Sequence, residues 1–161
     1  MTHGEIASQA DQITLKIESM KGEWRSMARV IQIEGIGTAY RELLRRNVGI
    51  TTTEALLKAC KTPKQRQELA AKMGISERHI LEWANRADLF RIKGVGEEYS
   101  DLLEAAGVDT VVELAQRMAE NLHVALKETN DARAVVRRLP TLKQVQDWVR
   151  QAKKMPRVLT Y

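Results

Sequence analysis

The chain has 161 residues, of which 43% are hydrophobic and 29% are charged, a balance typical of a folded globular protein. This length accommodates one sizeable domain or two small ones. The formal net charge of +5 permits binding to nucleic acid but does not require it. No apolar run approaches the roughly 20 residues of a membrane span, and the N-terminus lacks the basic-then-apolar pattern of a signal peptide. We therefore expect no membrane partner and a cytoplasmic location.

Residue usage predicts an all-α fold. The chain contains only three Pro, three Trp, three Tyr and one Phe, whereas the good helix formers Ala, Leu, Glu, Lys, Arg and Gln are frequent. The single cysteine, Cys60, cannot form an internal disulfide and fits a reducing compartment. We interpret it as a small core residue.

Residues 5–31 predict one long helix or two short ones, with an apolar side chain at alternating spacings of four and three. This is the rhythm of a coiled-coil seam, although Gly22 lies inside it. One interpretation is a homodimer contact; the other is a helix packed on its own domain. The seam consists of Ile6, Ala10, Ile13, Ile17, Met20, Trp24, Met27 and Ile31.

Two short glycine-containing runs indicate an internal repeat. The first hairpin, I-E-G-I-G at residues 33–37, and the second hairpin, I-K-G-V-G at residues 92–96, lie 59 residues apart. Each is followed by a tyrosine (Tyr40 or Tyr99), then by a Leu pair and a Gly–aliphatic turn. Glycines two positions apart allow positive φ and a close backbone approach. A helix that begins after such a turn presents unpaired N–H groups that favour a phosphate.

Both hairpins resemble the helix-hairpin-helix motif, h-x-G-h-G-x-x-x-small-x-h-h, whose members bind the sugar-phosphate backbone of DNA non-specifically. The tandem layout, with Trp83 and Trp148 at equivalent places, resembles a family of small prokaryotic proteins labelled as a domain of unknown function. The resemblance covers roughly residues 30–161 and extends loosely to the helix-three-turn-helix element of flap endonucleases. It implies an all-α, SAM-like fold with two pseudo-repeated helix-hairpin-helix units after an N-terminal helix. The corresponding domains are residues 1–31, 32–88 and 89–161.

Capping residues and turns predict the remaining helices. Thr51 and Asp109 are expected to cap two of them, and Thr62-Pro63, Ser76 and Thr141 are expected to begin three more. Residues 156–161 are expected to be extended and able to pack on the core. The predicted helices are residues 24–32, 38–46, 52–59, 64–73, 77–87, 97–106, 110–118, 121–127, 131–138 and 142–154.

The first hairpin is the stronger candidate for a phosphate site. The amides of Gly35, Gly37 and Thr38 would contact the phosphate, and the arginines on the following helix would add positive charge. Arg41 departs from the motif, which usually has a small residue at this position, and Glu34 opposes an anion. The second hairpin has Lys93 and the small Ser100, but Glu97 and Glu98 would repel DNA at its helix start. The alternative is that both hairpins are packing devices that join helix pairs.

Charge is unevenly distributed in the C-terminal half. Residues 97–120 contain seven acids and one base, Arg117, whereas residues 133–157 contain eight bases and one acid, Asp147. A phosphate-binding face should therefore include the C-terminal stretch. The predicted nucleic-acid-binding residues are Gly35, Ile36, Gly37, Thr38, Arg41, Arg45, Arg46, Lys93, Gly94, Gly96, Arg137, Arg138, Arg150, Lys153 and Lys154.

A second pattern, which overlaps the first unit, is typical of a helix-turn-helix. It would make residues 76–87 a recognition helix that presents Glu77, Arg78, His79 and Glu82 to a major groove. Any helical hairpin with a Gly turn produces the same pattern, and this helix is charge-balanced.

Catalysis has little support in the sequence. His3, His79 and His123 have no metal-ligand spacing, and no cluster of acids resembles a two-metal nuclease site. The glycine turns follow helices, which excludes the strand-first dinucleotide motif. We expect no enzyme, no small-molecule substrate and no metal site. The resemblance leaves room for a monovalent cation on hairpin carbonyls such as those of Ile33 and Gly35.

The sequence thus supports two hypotheses. The first is a non-catalytic protein that binds the backbone of duplex or branched DNA without reading bases. The second is a protein-interaction adaptor or homo-oligomeric scaffold that binds no nucleic acid.

Overall fold

The computed structural model describes residues 29–161, and every regular element in this range is helical, which confirms the all-α class. A short 3-10 turn, Val30–Gln32, precedes the first hairpin. Within the described range, no helix is both long enough and apolar enough to cross a membrane. The helices are α1 (Thr38–Val48), α2 (Thr53–Ala59), α3 (Pro63–Met73), α4 (Glu77–Leu89), α5 (Glu97–Ala105), α6 (Val111–Ala115), α7 (Ala119–Arg133) and α8 (Leu142–Lys154).

Hydroxyl side chains begin five of these helices by accepting a backbone N–H bond from the first turn. Thr62, Ser76 and Thr141 do so as predicted, at α3, α4 and α8. The predicted caps Thr51 and Asp109 are wrong by one residue, because Thr52 and Thr110 cap α2 and α6 instead. At both places two polar residues follow a Gly–aliphatic turn, and local sequence does not decide between them.

The two predicted helices at residues 121–127 and 131–138 are wrong, because one helix, α7, covers most of this region. No Gly or Pro interrupts the sequence between them, so the helix continues to Arg133. It ends where Ala134 adopts a left-handed conformation with φ of 50°. The side chain of Asn130 then accepts a bond from the Val136 N–H and donates one to the Val136 carbonyl, which fixes the chain after the helix.

In its described part, the predicted helix over residues 24–32 is present only as the 3-10 turn Val30–Gln32. Arg29 is extended and forms an isolated antiparallel bridge with Thr52, and the Val30 N–H donates to the Thr51 carbonyl at 3.1 Å. This pairing keeps Arg29 out of the helical turn that follows it. The rest of the predicted N-terminal seam lies outside the described residues.

Two buried clusters organise the helices. Side chains of α1–α4 form the first cluster around Trp83, and side chains of α5–α8 form the second around Trp148. Each tryptophan is 2% exposed, so both are core residues. Cys60 is fully buried in the first cluster, as predicted.

Residues 156–161 return from the second group of helices to the first. Leu159 is 3% exposed and belongs to the first buried cluster, although it follows α8 in the chain. The Thr160 N–H donates to the Lys61 carbonyl at 2.9 Å, and the Tyr161 hydroxyl donates to Asn85 Oδ1 at 3.0 Å. The C-terminal segment therefore completes the core of α1–α4.

Arg66 is a buried cation that holds this segment in place. Its guanidinium donates to the carbonyl oxygens of Cys60, Lys61 and Thr160, at 2.9, 3.3 and 2.7 Å. Its partners are thus carbonyls, two of which lie at the C-terminal end of α2, where a positive charge is favourable. The guanidinium also lies over the ring of Tyr161, 5.6 Å from its centroid.

Charged groups connect the two groups of helices at the junction of α4 and α5. Arg86 near the end of α4 forms ion pairs with Asp101 and Glu104 of α5. The buried Asp88 accepts from the Val111 N–H at 2.9 Å and from Arg91 at 2.8 Å, so its carboxylate joins the end of α4 to the start of α6. These contacts fix the position of the second hairpin relative to α4.

We expect Leu159→Ala to lower the free energy of unfolding by about 3 kcal/mol, because truncation of a buried Leu leaves a cavity. The matched control is Leu142→Ala, which removes the same atoms from a side chain that is 37% exposed and should change stability by less than about 0.5 kcal/mol. Urea unfolding of both variants measures the difference. If Leu159→Ala lowers the free energy of unfolding as little as Leu142→Ala does, Leu159 adds nothing to the first core.

We expect the Cys60 thiol to be unreactive in the folded protein. Burial raises its pKa from 9.0 to about 12, so the reactive thiolate is almost absent near neutral pH. Because the folded pKa lies above the unfolded one, this group's contribution to stability is complete below pH 9 and is lost as the pH rises towards 12. A thiol reagent should label Cys60 only in denaturant, and rapid labelling of native protein would contradict the buried position.

Candidate nucleic-acid interface

The first hairpin is a tight turn supported from below by a tryptophan. Gly35 has a φ of 89°, and the Ile36 N–H donates to the Ile33 carbonyl at 3.1 Å across the turn. The side chains of Ile33 and Ile36 are buried in the first cluster. A Cβ atom at Gly35 would lie 3.4 Å from Nε1 of Trp83, so a side chain there meets both a strained φ and a close neighbour.

The first turn of α1 lacks a side-chain cap. Gly37 occupies the cap position, and no side chain of residues 29–161 caps the amides that follow it. The N–H groups of Thr38, Ala39 and Tyr40 have no acceptor within the helix, as in the first turn of any α-helix. Gly37, Thr38 and Ala39 are exposed residues, so this helix start lies at the protein surface.

Three arginines follow on α1, and one acid lies between them. Glu42 bonds Arg45 at 2.9 Å and Arg46 at 3.5 Å. The hydrogen bond from Arg45 is the main cause that lowers the pKa of Glu42. Arg41 forms no ion pair with a described residue, and it lies one turn from Gly37. Arg45 lies at the other end of the helix, about 10 Å along the axis from Thr38.

The second hairpin has the same backbone shape but a different surrounding. Gly94 has a φ of 96°, and a Cβ atom there would lie 3.1 Å from Nε1 of Trp148. Gln151 of α8 covers the turn: its Oε1 accepts from the Lys93 N–H at 2.8 Å, and its Nε2 donates to the Lys93 carbonyl at 3.0 Å. Among the described residues, no side chain bonds the corresponding backbone groups of Glu34.

Acidic residues also distinguish the second hairpin. Gly96 begins α5 without a side-chain cap, and the exposed Glu97 and Glu98 occupy its first turn. Negative charge there stabilises the helix dipole and disfavours a phosphate. The small Ser100 is 1% exposed and donates to the Glu97 carbonyl, so its role is in packing.

The predicted C-terminal cations lie on and beside the second group of helices. Arg138 lies beside α5, because its carbonyl accepts from the Tyr99 hydroxyl at 3.2 Å. Lys154 follows Gln151 by three residues and shares its helix face, which borders the second hairpin. Arg150 and Lys153 instead line a groove with Arg117. The exposed Arg137 precedes Arg138 in the same connection between α7 and α8.

The helix-turn-helix alternative places its recognition residues on α4. Arg78 bonds Glu82 at 3.2 Å, and the His79 ring lies 3.0 Å from the Ser76 hydroxyl that caps the helix. The exposed face therefore has paired charges and no cluster of positive ones.

Metal-binding chemistry has no support within residues 29–161, because they contain no group of three or more His, Cys, Asp or Glu side chains close enough to hold an ion. The carbonyl of Ile33 accepts from the Ile36 N–H, and that of Ile92 accepts from the Val95 N–H, both at 3.1 Å. These carbonyls are thus engaged in closing the turns.

These features define an all-helical protein with two glycine hairpins, of which the second is bonded by Gln151 and the first has no such side chain among residues 29–161. The model of the family described as Domain of unknown function (DUF4332) matches residues 34–155, so the chain belongs to that family. This match agrees with the predicted small domain of unknown function. No curated protein and no solved structure matches the chain.

Sequence reasoning missed three side chains that change the interpretation of the site. Glu42 was detectable, since its spacing of three and four from Arg45 and Arg46 is that of helical ion pairs. Arg117 was noted only as a lone base among acids. Gln151 gave no local signal, because its contact with Lys93 spans 58 residues.

Proposed function

We propose that the protein is a non-catalytic, non-sequence-specific protein that binds the backbone of DNA through the first hairpin. The observation that supports this most directly is the exposed, uncapped first turn of α1 after Gly37. Amide N–H groups at such a helix start favour a phosphate oxygen, and the helix dipole adds to the attraction. Arg41 lies one turn further along the same helix.

We also infer that the two groups of helices are copies of one helix-hairpin-helix pattern. Each copy has a glycine at a φ near 90° beside a tryptophan Nε1. Each also has a tyrosine whose ring centroid lies 5.2 Å from that tryptophan: Tyr40 with Trp83, and Tyr99 with Trp148. In this interpretation the first copy binds the phosphate, and the second copy, covered by Gln151, serves packing.

Arg45 and Arg46 extend the binding surface along α1. Their contacts with Glu42 are exposed, with side-chain exposures of 55%, 71% and 38%. Exposed ion pairs of this kind contribute little energy, so a phosphate can replace Glu42 as the partner at small cost. Each arginine that neutralises a phosphate releases counterions, which makes the binding weaken as salt rises.

A protein-interaction adaptor is the second candidate. Met118 and Val124, near the start of α7, are large apolar side chains with 66% and 54% of their surface exposed. Binding to a partner protein would cover them. Absence of any duplex binding at low salt would favour this candidate over the first.

The matched pair Gly37→Ser and Gly96→Ser tests the open helix start. A Cβ atom at either glycine meets nothing within 4 Å, and both have negative φ, so serine fits and its hydroxyl can cap the helix. Each variant should gain a few tenths of a kcal/mol in stability. Gly37→Ser should weaken duplex binding by about 3- to 10-fold, because its hydroxyl replaces the phosphate as acceptor.

In this test Gly96→Ser should leave the affinity unchanged. Fluorescence anisotropy with a labelled duplex measures the affinity, and thermal unfolding measures the stability. An unchanged affinity of Gly37→Ser, with the expected gain in stability, would remove the first hairpin from the binding site.

Charge reversal at Arg45 and Arg46 tests the surface along α1. The double change to Glu should weaken duplex binding by at least about tenfold at low salt, and Glu42→Gln should strengthen it by freeing both arginines. The slope of log K against log salt concentration should fall in magnitude by about 0.9 for each lost contact. The control reverses two other exposed, paired lysines, Lys58 and Lys127.

Duplex titrations of these variants at two salt concentrations give both quantities. If the control pair weakens binding as much as the Arg45 and Arg46 pair, the attraction depends on net charge alone, and the proposed surface is wrong.

A further inference from the structure

A groove lies between the turn that joins α6 to α7 and one face of α8. Arg117, Met118 and Glu120 line one side, and Arg150 and Lys153 line the other. Its volume is about 460 Å³. This is within the range of small-ligand sites, roughly 300–1,000 Å³. None of these side chains takes part in the proposed duplex contact at the first hairpin. They affect duplex binding only through the net charge of the protein.

Positive charge predominates in this groove. Arg117, Arg150 and Lys153 line it, and Glu120 is its one lining acid. Arg117 and Lys153 have no ion pair or side-chain hydrogen bond with any described residue. Arg150 contacts Asp147 at 3.3 Å, with both side chains more than half exposed. Such an exposed pair is weak, so all three cations are available to an anion.

Glu120 is held where it can compete with a bound anion. Its carboxylate accepts from Gln146 of α8 at 3.3 Å. Hydrogen bonding to its own backbone N–H, and then to Gln146, lowers the pKa of Glu120, so it stays charged at neutral pH. A ligand phosphate near the three cations would be repelled by this carboxylate.

The groove also has an apolar side. Val149 is 5% exposed and forms part of the lining, together with Ala115 and Ala119. Met118 lies at the edge with 66% of its surface exposed. Methionine is flexible and makes favourable contacts with aromatic rings through its sulfur. A flat ring can therefore lie against Met118 while an attached anion reaches the cations.

We propose that this groove binds one unpaired nucleotide, with its phosphate between Arg117, Arg150 and Lys153 and its base against Met118. The combination of three cations with an exposed methionine and an apolar wall matches a phosphate joined to an aromatic ring. The same chemistry is offered by a free mononucleotide and by a nucleotide of a single strand. A duplex cannot present an unpaired nucleotide, because its bases are stacked and paired.

The test is an NMR titration of the full chain with thymidine monophosphate. Amide shifts should concentrate at residues that line the groove. Arg117→Ala combined with Lys153→Ala should weaken binding by about tenfold, and Met118→Ala by about threefold. Glu120→Gln should strengthen binding by about threefold, because it removes the competing charge.

Arg45→Ala combined with Arg46→Ala is the matched control. It removes the same charge from the first hairpin's helix and should leave mononucleotide binding within about twofold while it weakens duplex binding. The two proposals therefore fail separately. Amide shifts that concentrate elsewhere, or unchanged binding by the Arg117 and Lys153 variant, would overturn the groove as a nucleotide site.

Two further probes identify the ligand. Inorganic phosphate should bind more weakly than thymidine monophosphate, and equal binding would overturn the role of Met118. An oligothymidylate of about six nucleotides should bind more tightly than the mononucleotide if a strand is the source. Equal affinity per nucleotide would identify a free nucleotide as the ligand.

Discussion

The contact between an indole ring and a glycine turn is the constraint on which the rest of the structure depends. Trp83 lies under Gly35 and Trp148 under Gly94, so close that a methyl group would not fit comfortably in the second case. Each tryptophan is also the centre of a buried cluster. Packing of the core and the shape of the exposed hairpin are thereby coupled: the turn is rigid because its lower side is part of the core.

This coupling explains how two hairpins of one shape differ in what they offer to solvent. At both hairpins a buried tryptophan supports the backbone from the core side. The difference comes from the side chains on the solvent side of the turn. Gln151 satisfies both backbone groups of Lys93, whereas the backbone of Glu34 has no such partner among the described residues. Gln151 supplies, from a neighbouring helix, both the acceptor and the donor for the Lys93 backbone, so a single long polar side chain closes the second turn with an internal contact.

Sequence reasoning predicted the helical class, the buried Cys60 and three of the caps, since these follow from residue usage and from local hydrogen bonding. It divided α7 into two helices, although Asn130, in the gap between them, is helical and bonds the chain that follows the helix. It could not place the cations of the C-terminal stretch. The helix that carries Arg150 and Lys154 was predicted correctly. Which of the two borders the second hairpin depends on the rotation of α8 about its axis, and tertiary packing sets that rotation.

The return of residues 156–161 to the first group of helices has a consequence for the order of folding. Thr160 contacts Lys61 across 99 residues, so the core around Trp83 requires a side chain that is synthesised after all of α5–α8. Domains ordinarily fold in sequence as they leave the ribosome. Here the half of the molecule that is translated first cannot complete its core until Leu159 has also been translated.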